Sequence, residues 1–194
     1  MRYGLLLLLG CTALMAQDVI DSEDYVPLTL SQNYMWTVHQ MFSPTRLAMI
    51  AAKAGIDHSA NDPKVWGQGA VGYAERMGSR VGSMAIRENM AFGIRALDHE
   101  DPRYFHSTEK GFMRRAGYAV SRTFVARNAS GGWMPAYSSL ISDIATPFIA
   151  QTWRPEAVTG GRAMRSAGMS VGFDAVSNLG SEFWPDIRKK FSRQ

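Results

Sequence analysis

Three short segments of the sequence contain residue types and spacings that could carry chemistry, and the first is WGQGAVGY at residues 66–73. Gly67, Gly69 and Gly72 match the pattern G-x-G-x-x-G, in which glycines let the backbone approach the pyrophosphate of a dinucleotide. That function requires a buried strand before the glycines, whereas NDPKVW at residues 61–66 has the composition of a turn. We therefore predict that these glycines serve helix packing rather than nucleotide binding.

The second segment is GMSVG at residues 168–172, which has the spacing of the nucleophile elbow of α/β-hydrolases. An elbow joins a strand to a helix through a sharp turn, but GGRAMRSA at residues 160–167 has a helical pattern. We expect Ser170 in the middle of a helix, on its polar side. Hydrolysis by Ser170 stays an alternative that the sequence disfavours.

The third segment, DHEDPRYFH at residues 98–106, combines carboxylates with two imidazoles. A divalent metal could bind two imidazoles and a carboxylate, although the usual helical ligand spacings are missing. The simpler interpretation is a helix stop with solvated acids. We predict no metal and no cofactor, and we still choose this loop as the candidate binding surface because binding residues concentrate on loops. Its candidate residues are His99, Glu100, Asp101, Arg103, Tyr104 and His106.

Four arginines, Arg114, Arg115, Arg122 and Arg127, follow this loop. On a helix over residues 111–127 they could bind an anionic group, or they could pair with acidic side chains of the same domain. Pairing is the more common outcome, so we favour it. The available acids include Asp98, Glu100, Asp101, Glu109 and Asp143.

The elements that position these residues are predicted to be helices, because few β-branched residues alternate with polar ones. Ser43 is expected as an N-cap, with Pro44 at the first helical position. We predict an all-α fold, a bundle of five to six helices in a single domain over residues 29–191, after a flexible acidic lead-in at 17–28. The helices are expected at about 30–42, 44–55, 69–97, 111–127, from 135 with a kink or an end at Pro147, and 156–183.

Two of these helices carry small residues at helical spacing, which we call packing seams. They allow a neighbouring helix to approach closely, and an intramolecular core is the favoured role. Contact with another subunit or with the membrane interior stays open. The arginines at 76, 80 and 87 fall on the opposite side, where we expect them hydrated or paired. The first seam is Ala70, Ala74, Gly78 and Gly82, and the second is Ala157, Gly161, Gly168, Gly172 and Ala175.

The N-terminus has the pattern of an export signal. Arg2 precedes an uncharged apolar run over residues 5–15, which is too short to span a bilayer and typical of a secretory leader. We predict a signal peptide at 1–16. The alternative is a lipoprotein leader at 1–10, with lipidation of Cys11, the only cysteine of the chain.

The charge balance and the hydropathy pattern limit the partners. The formal net charge is +4, which permits contact with anionic surfaces but does not predict nucleic-acid binding. No stretch after the leader has the roughly 18 consecutive apolar residues of a membrane-spanning helix. The partner is therefore unknown, and the chain itself, as a homo-oligomer, or the membrane surface are the candidates.

The segments at residues 61–87, 99–105 (HEDPRYF) and 182–191 (EFWPDIRKKF) resemble a group of exported bacterial proteins of unknown function. The resemblance covers roughly residues 40–191, and it implies a bacterial origin, a periplasmic or outer-membrane location and no specific activity. We expect an exported, non-enzymatic helical envelope protein with a structural or interaction role. The alternatives are an envelope hydrolase or metal-dependent enzyme using the His99–His106 loop, and a lipid-associated oligomeric assembly unit.

Overall fold

The computed structural model describes residues 25–155 and 159–191. This part of the chain contains six helices and a sheet of three short strands, so the prediction of a helical bundle is confirmed. The predicted leader, Cys11, most of the lead-in and Ala157 lie outside the described residues. The helices are α1 (Leu30–Met41), α2 (Pro44–Ser59), α3 (Ala70–Asp98), α4 (Phe112–Ser121), α5 (Tyr137–Ala150) and α6 (Gly160–Phe191), and the strands are β1 (Glu100–Asp101), β2 (Val125–Asn128) and β3 (Trp133–Pro135).

Side-chain caps explain where the first two helices begin. The Thr29 hydroxyl accepts a hydrogen bond from the Gln32 N–H at 3.3 Å, and the Gln32 side chain accepts one from the Thr29 N–H at 2.9 Å. This reciprocal pair is a capping box. Ser43 caps α2 by accepting from the Arg46 N–H, with Pro44 at the first helical position as predicted.

The predicted helix over residues 111–127 is too long. Helix α4 ends at Ser121, and β2 pairs antiparallel with both β1 and β3. The β2–β3 turn is closed by Asn128, whose carboxamide oxygen accepts from the N–H groups of Ser130 and Gly132, while Gly131 adopts a positive φ of 81°. Strands of two to four residues are too short to show a period of two, so the pattern did not indicate them.

Other helix ends also differ from the predictions. Helix α2 continues beyond Gly55, α5 continues past Pro147 to Ala150, and α6 continues past Pro185 to Phe191. Both prolines therefore lie inside helices rather than ending them. Tertiary packing of long helices outweighs the local penalty of a single proline or glycine.

A network of arginines and carboxylates connects four of the helices. Arg87 of α3 donates to Asp143 of α5 at 2.5 Å and to Asp174 of α6 at 2.7 Å. It also donates to its neighbour Glu88 at 3.0 Å, and Arg46 of α2 contacts the same Glu88 oxygen at 2.5 Å. The side chains of Glu88 and Asp143 are almost fully buried. Removing one partner would leave a buried charge uncompensated, so this network fixes the helices relative to one another.

Helix α3 consequently turns its charged side inward, against the prediction. Arg76, Glu88 and Arg95 are 1%, 3% and 6% exposed. The seam residues Ala70, Ala74 and Gly78 are instead exposed. A Cβ added at Gly78 or Gly82 would meet no atom within 4 Å.

The second seam is also unpacked within the chain. A Cβ on Gly161, Gly168 or Gly172 would likewise meet nothing within 4 Å, and Ala175 is only half-buried. The prediction that the seams form an intramolecular core is therefore wrong. The partners of the buried charged groups favour the charged sides of α3 and α6 facing inward, because charge burial without partners costs far more than exposing alanine or glycine. Contact of the seams with another molecule stays a prediction.

Small residues that the sequence analysis did not select form the actual helix contacts. Helix α5 packs between α3 and α6. Its buried side is a row at every fourth position, Ser138, Ser142, Thr146 and Ala150, all at most 6% exposed. Ala163 and Ala167 of α6 are similarly buried. The large apolar residues of α5 lie on the opposite side, where Ile141, Ile144 and Phe148 are 46%, 46% and 39% exposed.

We predict that Asp174 makes stability depend on pH. Burial and the neighbouring Asp143 raise the pKa of Asp174 to about 7, in spite of Arg87. The folded chain then holds a proton that the unfolded chain releases above about pH 4, so the free energy of unfolding falls as the pH rises toward 7. Chemical denaturation measures the free energy of unfolding at each pH. Between about pH 5 and pH 7.5 it should fall by about 1–2 kcal/mol less in Asp174→Asn than in the wild type.

Asp186→Asn is the control for this measurement. Asp186 lies on the same helix, but its side chain is 52% exposed and pairs with Arg115 instead of a residue of the network. This variant should keep the wild-type slope. An unchanged slope in Asp174→Asn would contradict the prediction.

Candidate functional site

The segment WGQGAVGY folds around the side chain of Arg76. The Arg76 guanidinium donates to the backbone carbonyls of Asp62, Pro63, Gly67 and Gly72 at 2.8–2.9 Å. The turn therefore directs carbonyl oxygens inward. A phosphate site presents N–H donors instead, so the lone pairs here would repel a phosphate.

The three glycines of this segment each have a structural role. Gly67 and Gly69 adopt positive φ values of 67° and 101°, which favour glycine. A Cβ on Gly72 would lie 2.5 Å from the Trp66 carbonyl oxygen and 2.6 Å from that of Gly67. The element before them is a 3₁₀ turn, Lys64–Trp66, rather than a strand.

Ser170 lies in the interior of α6, as expected for a helical residue. The strand, sharp turn and helix that an elbow requires are replaced by continuous helix from Gly160 to Phe191. The geometry of this residue therefore gives it no role as a nucleophile.

The candidate loop at 99–106 is held by its own acids. Glu100 is 5% exposed, and its carboxylate accepts from the Ser138 N–H at 3.0 Å and from the Ser138 hydroxyl at 2.7 Å. Glu100, which lies on β1, thus caps the N-terminus of α5. Burial raises the pKa of Glu100, although the bonds from Ser138 oppose that shift. Asp101 pairs with Arg103 at 2.6 Å, and Arg103 also donates to the carbonyl of Val26.

The end of the loop is anchored by Glu182 of α6, a residue that the sequence analysis did not select. The fully buried Glu182 carboxylate accepts from the Tyr104 hydroxyl and the Ser107 N–H, each at 3.1 Å, and from Arg115 at 2.7 Å. His106 lies 3.6 Å from the same carboxylate. Burial and Glu182 raise the pKa of Tyr104. The one feature of the sequence that could have indicated this role is the position of Glu182 at the start of the segment EFWPDI.

The loop does border a cleft, of about 250 Å³. His99, in a left-handed conformation with φ 60°, ends α3 and lies at this cleft, whereas His106 packs against Tyr104 and Glu182. Among residues 25–155 and 159–191, no group of three or more His, Cys, Asp or Glu is arranged to hold a metal. The cleft is lined by Tyr25, Leu28, Leu30, Asn33, Arg95, Ala96, His99, Glu100, Asp101, Pro102 and Ala129.

Arg95 gives this cleft a buried cation. Its guanidinium donates to the side-chain oxygens of Asn33 at 3.2 Å and Thr37 at 2.9 Å, and it lies 5.9 Å from the Trp36 ring centroid. Burial lowers the pKa of Arg95. Its position in the last turn of α3 is one that the helix dipole favours for a cation.

Beside the loop, two arginines share one aromatic surface. The guanidinium carbons of Arg122 and Arg127 lie 4.5 Å and 5.1 Å from the ring centroid of Trp133. Arg122 also faces Tyr118 at 6.0 Å, and Arg127 faces Phe105 at 4.8 Å. We call these five residues the arginine–aromatic cluster. The Tyr118 hydroxyl donates to the Phe105 carbonyl, which connects α4 to the loop.

The four arginines of the sequence analysis therefore divide into two pairs. Arg114 lies 3.7 Å from Glu109, and Arg115 pairs with Glu182, so the expected pairing is confirmed for these two, although Arg115 uses an acid that we did not predict. Arg122 and Arg127 form no ion pair with any acid in the described chain. The expected pairing with acids therefore does not account for the positions of Arg122 and Arg127.

Comparison of the chain with protein-family models, with curated proteins and with solved structures gives no match. A search of the described helices finds none that combines the length and the apolar character needed to cross a membrane. The local geometry therefore carries the functional argument.

We predict opposite effects of the same substitution at two glycines of α3. Gly72→Ala should destabilise the fold by about 1–3 kcal/mol, because the new Cβ would overlap two backbone carbonyls. Gly78→Ala should stabilise it by about 0.5–1 kcal/mol, because its Cβ meets open space and alanine favours helix. Urea unfolding of both variants checks this, and a loss at Gly78 equal to that at Gly72 would contradict it.

Proposed function

We propose that the chain is an exported, non-enzymatic protein of the bacterial cell envelope that acts by surface contact with other molecules. The observation that carries the proposal is the orientation of α5, whose small residues face inward while Ile144 and Phe148 face outward. Burying polar side chains while exposing large apolar ones is unfavourable for an isolated protein in water. The orientation is therefore expected where a partner covers the exposed side.

Other helices repeat the arrangement of α5. On α3, Val71 is 74% exposed on the same side as the seam residue Gly78, and on α6 Met169 is 66% exposed beside Gly168. An apolar side chain next to glycine offers a partner both contact area and close backbone approach. The seams that do not pack within the chain thus have the composition of surfaces for intermolecular contact.

Helix α4 adds an amphipathic surface. Phe112 and Met113 at its start are 67% and 78% exposed, and Arg114 beside them is 76% exposed in its side chain. Exposed apolar residues flanked by arginine are typical of helices that lie on membrane surfaces. Self-association and contact with the membrane surface are accordingly the two forms of contact that we propose.

The envelope location rests on the N-terminal leader pattern and on the resemblance of residues 40–191 to exported bacterial proteins. The leader lies outside the described residues. The non-enzymatic role is supported by the structural use of the candidate groups: Glu100 caps α5, Asp101 pairs with Arg103, and Ser170 lies within continuous helix.

We predict that Ile144→Asn weakens association without unfolding the chain, because the side chain is already 46% exposed. Removing one large apolar contact should weaken self-association or membrane binding by about tenfold. Light scattering of the purified protein measures self-association, and fractionation of expressing bacteria measures membrane binding. Lys64→Gln, an exposed change in the turn before α3 and outside the proposed contact surfaces, is the control.

A wild-type chain that is monomeric at all concentrations and absent from membrane fractions would overturn the contact role. Recovery of the chain only from the cytoplasm would overturn the envelope location.

A further inference from the structure

The arginine–aromatic cluster contains buried cationic groups that lack acceptors. Arg122 is only 9% exposed, and its Nε and Nη1 atoms are buried without a hydrogen-bond acceptor in the part of the chain that the structure describes. The Nε atom of Arg127 is likewise buried and has no acceptor in the described residues. Three donor groups on two neighbouring guanidiniums are therefore unsatisfied at one place.

The acids beside these arginines are bonded to other groups in the described chain. Asp101 lies opposite Arg127 in the β1–β2 register, but its carboxylate pairs with Arg103. Glu100 is the acid whose field reaches Arg122, but both of its oxygens already accept from Ser138, and it forms no ion pair with Arg122 in the described chain. The other ionisable neighbours of Arg122 are Tyr104, Tyr118 and Arg127, and burial lowers its pKa. Arg122 is buried and Arg127 is partly buried. Buried charged donors in proteins normally have acceptors, so the unsatisfied N–H groups of these two cations indicate a missing anion.

We propose that the arginine–aromatic cluster binds a phosphate group between Arg122 and Arg127, beside the indole ring of Trp133. A phosphate carries up to two negative charges and several acceptor oxygens, which matches two cations with three free donors. Guanidinium is also the side-chain group best suited to phosphate, because its N–H donors form a planar fork. The Trp133 ring contacts both guanidiniums and holds them in place. This contact leaves the N–H edges of the guanidiniums free for a ligand.

Access to the site is through Trp133. The indole is 52% exposed and lies over both guanidiniums, so it forms the boundary between the buried donors and solvent. Val120 and Phe124, on either side of Arg122 in sequence, are 40% and 50% exposed. The site would therefore accept either a free phosphate ion or the phosphate of a lipid headgroup whose acyl chains contact these apolar residues.

The test uses the purified full chain and measures thermal unfolding with inorganic phosphate, against chloride at equal ionic strength. Bound anion stabilises only the folded state, so phosphate should raise the Tm of the wild type by about 2–4 °C. A second arm measures binding to vesicles of phosphatidylglycerol and phosphatidylethanolamine by cosedimentation.

Arg122→Gln and Arg127→Gln should each weaken binding by about tenfold or more. They should keep the wild-type fold in chloride, as circular dichroism checks, because neither guanidinium forms an ion pair in the described chain. Arg188→Gln is the matched control, since Arg188 is an exposed arginine near the end of α6, outside the cluster and outside the proposed contact surfaces. It should retain phosphate stabilisation.

Stabilisation by inorganic phosphate that requires both arginines supports the proposal with free phosphate as the source. Vesicle binding alone, lost in both variants, supports it with lipid as the source. No saturable response in either arm, or a response that survives both substitutions, overturns it. These outcomes are independent of self-association, because Ile144 lies on α5, outside the cluster.

Discussion

The guanidinium of Arg87 contacts three carboxylates, and through them it connects helices that are distant in sequence. Asp143 and Asp174 bring α5 and α6 to α3, while Glu88 extends the network to Arg46 of α2. Each of these groups requires its partner because the network is largely buried. The inward side of every participating helix must therefore be the side that carries the charges, and this constraint determines what remains outside.

The surface of the protein follows from that constraint. Arg76, Glu88 and Arg95 occupy the inward side of α3, and its seam residues Ala70, Ala74 and Gly78 face outward. The same holds for α5, where serine and threonine pack inside and isoleucine and phenylalanine do not. Arg76 and Arg95 also lack a carboxylate partner in the described chain, but their guanidiniums donate to oxygen acceptors. Arg122 and Arg127 differ from them because some of their buried N–H groups have no acceptor in the described chain. The proposed contact surfaces thus follow from the buried charge network, whereas the proposed phosphate site rests on the separate contacts of Arg122 and Arg127.

Local signals in the sequence predicted the helices well. The Ser43–Pro44 pair marked the start of α2, and the long pattern after Gly69 marked α3 to within a residue at each end. The inward side of α3 and of α6 was predicted wrongly. The small-residue rows at Gly78 and Gly168 suggested close packing, but they do not pack within the chain. Orientation depends on which acids meet which arginines across the fold, and no single-helix pattern contains that information.

The site was predicted only in part for the same reason. The loop at 99–106 was selected as a binding surface from its local composition, and residues 99–102 line a cleft, but the binding role stays a prediction. Glu182 was missed, since its role depends on contacts with residues more than sixty positions away in sequence, among them Tyr104 and Arg115. Arg127 was placed on a helix, whereas the β2–β3 hairpin brings it over the ring of Trp133.

Thiol labelling tests the central claim that the charged sides of the helices face inward. In a Cys11→Ser background, single cysteines at Gly78 and Ser142 are compared at a protein concentration where light scattering finds the monomer. The exposed position Gly78 should react about 100-fold faster than Ser142, which is fully buried on α5. Equal rates, or faster reaction at Ser142, would contradict the orientation of α3 and α5 described above.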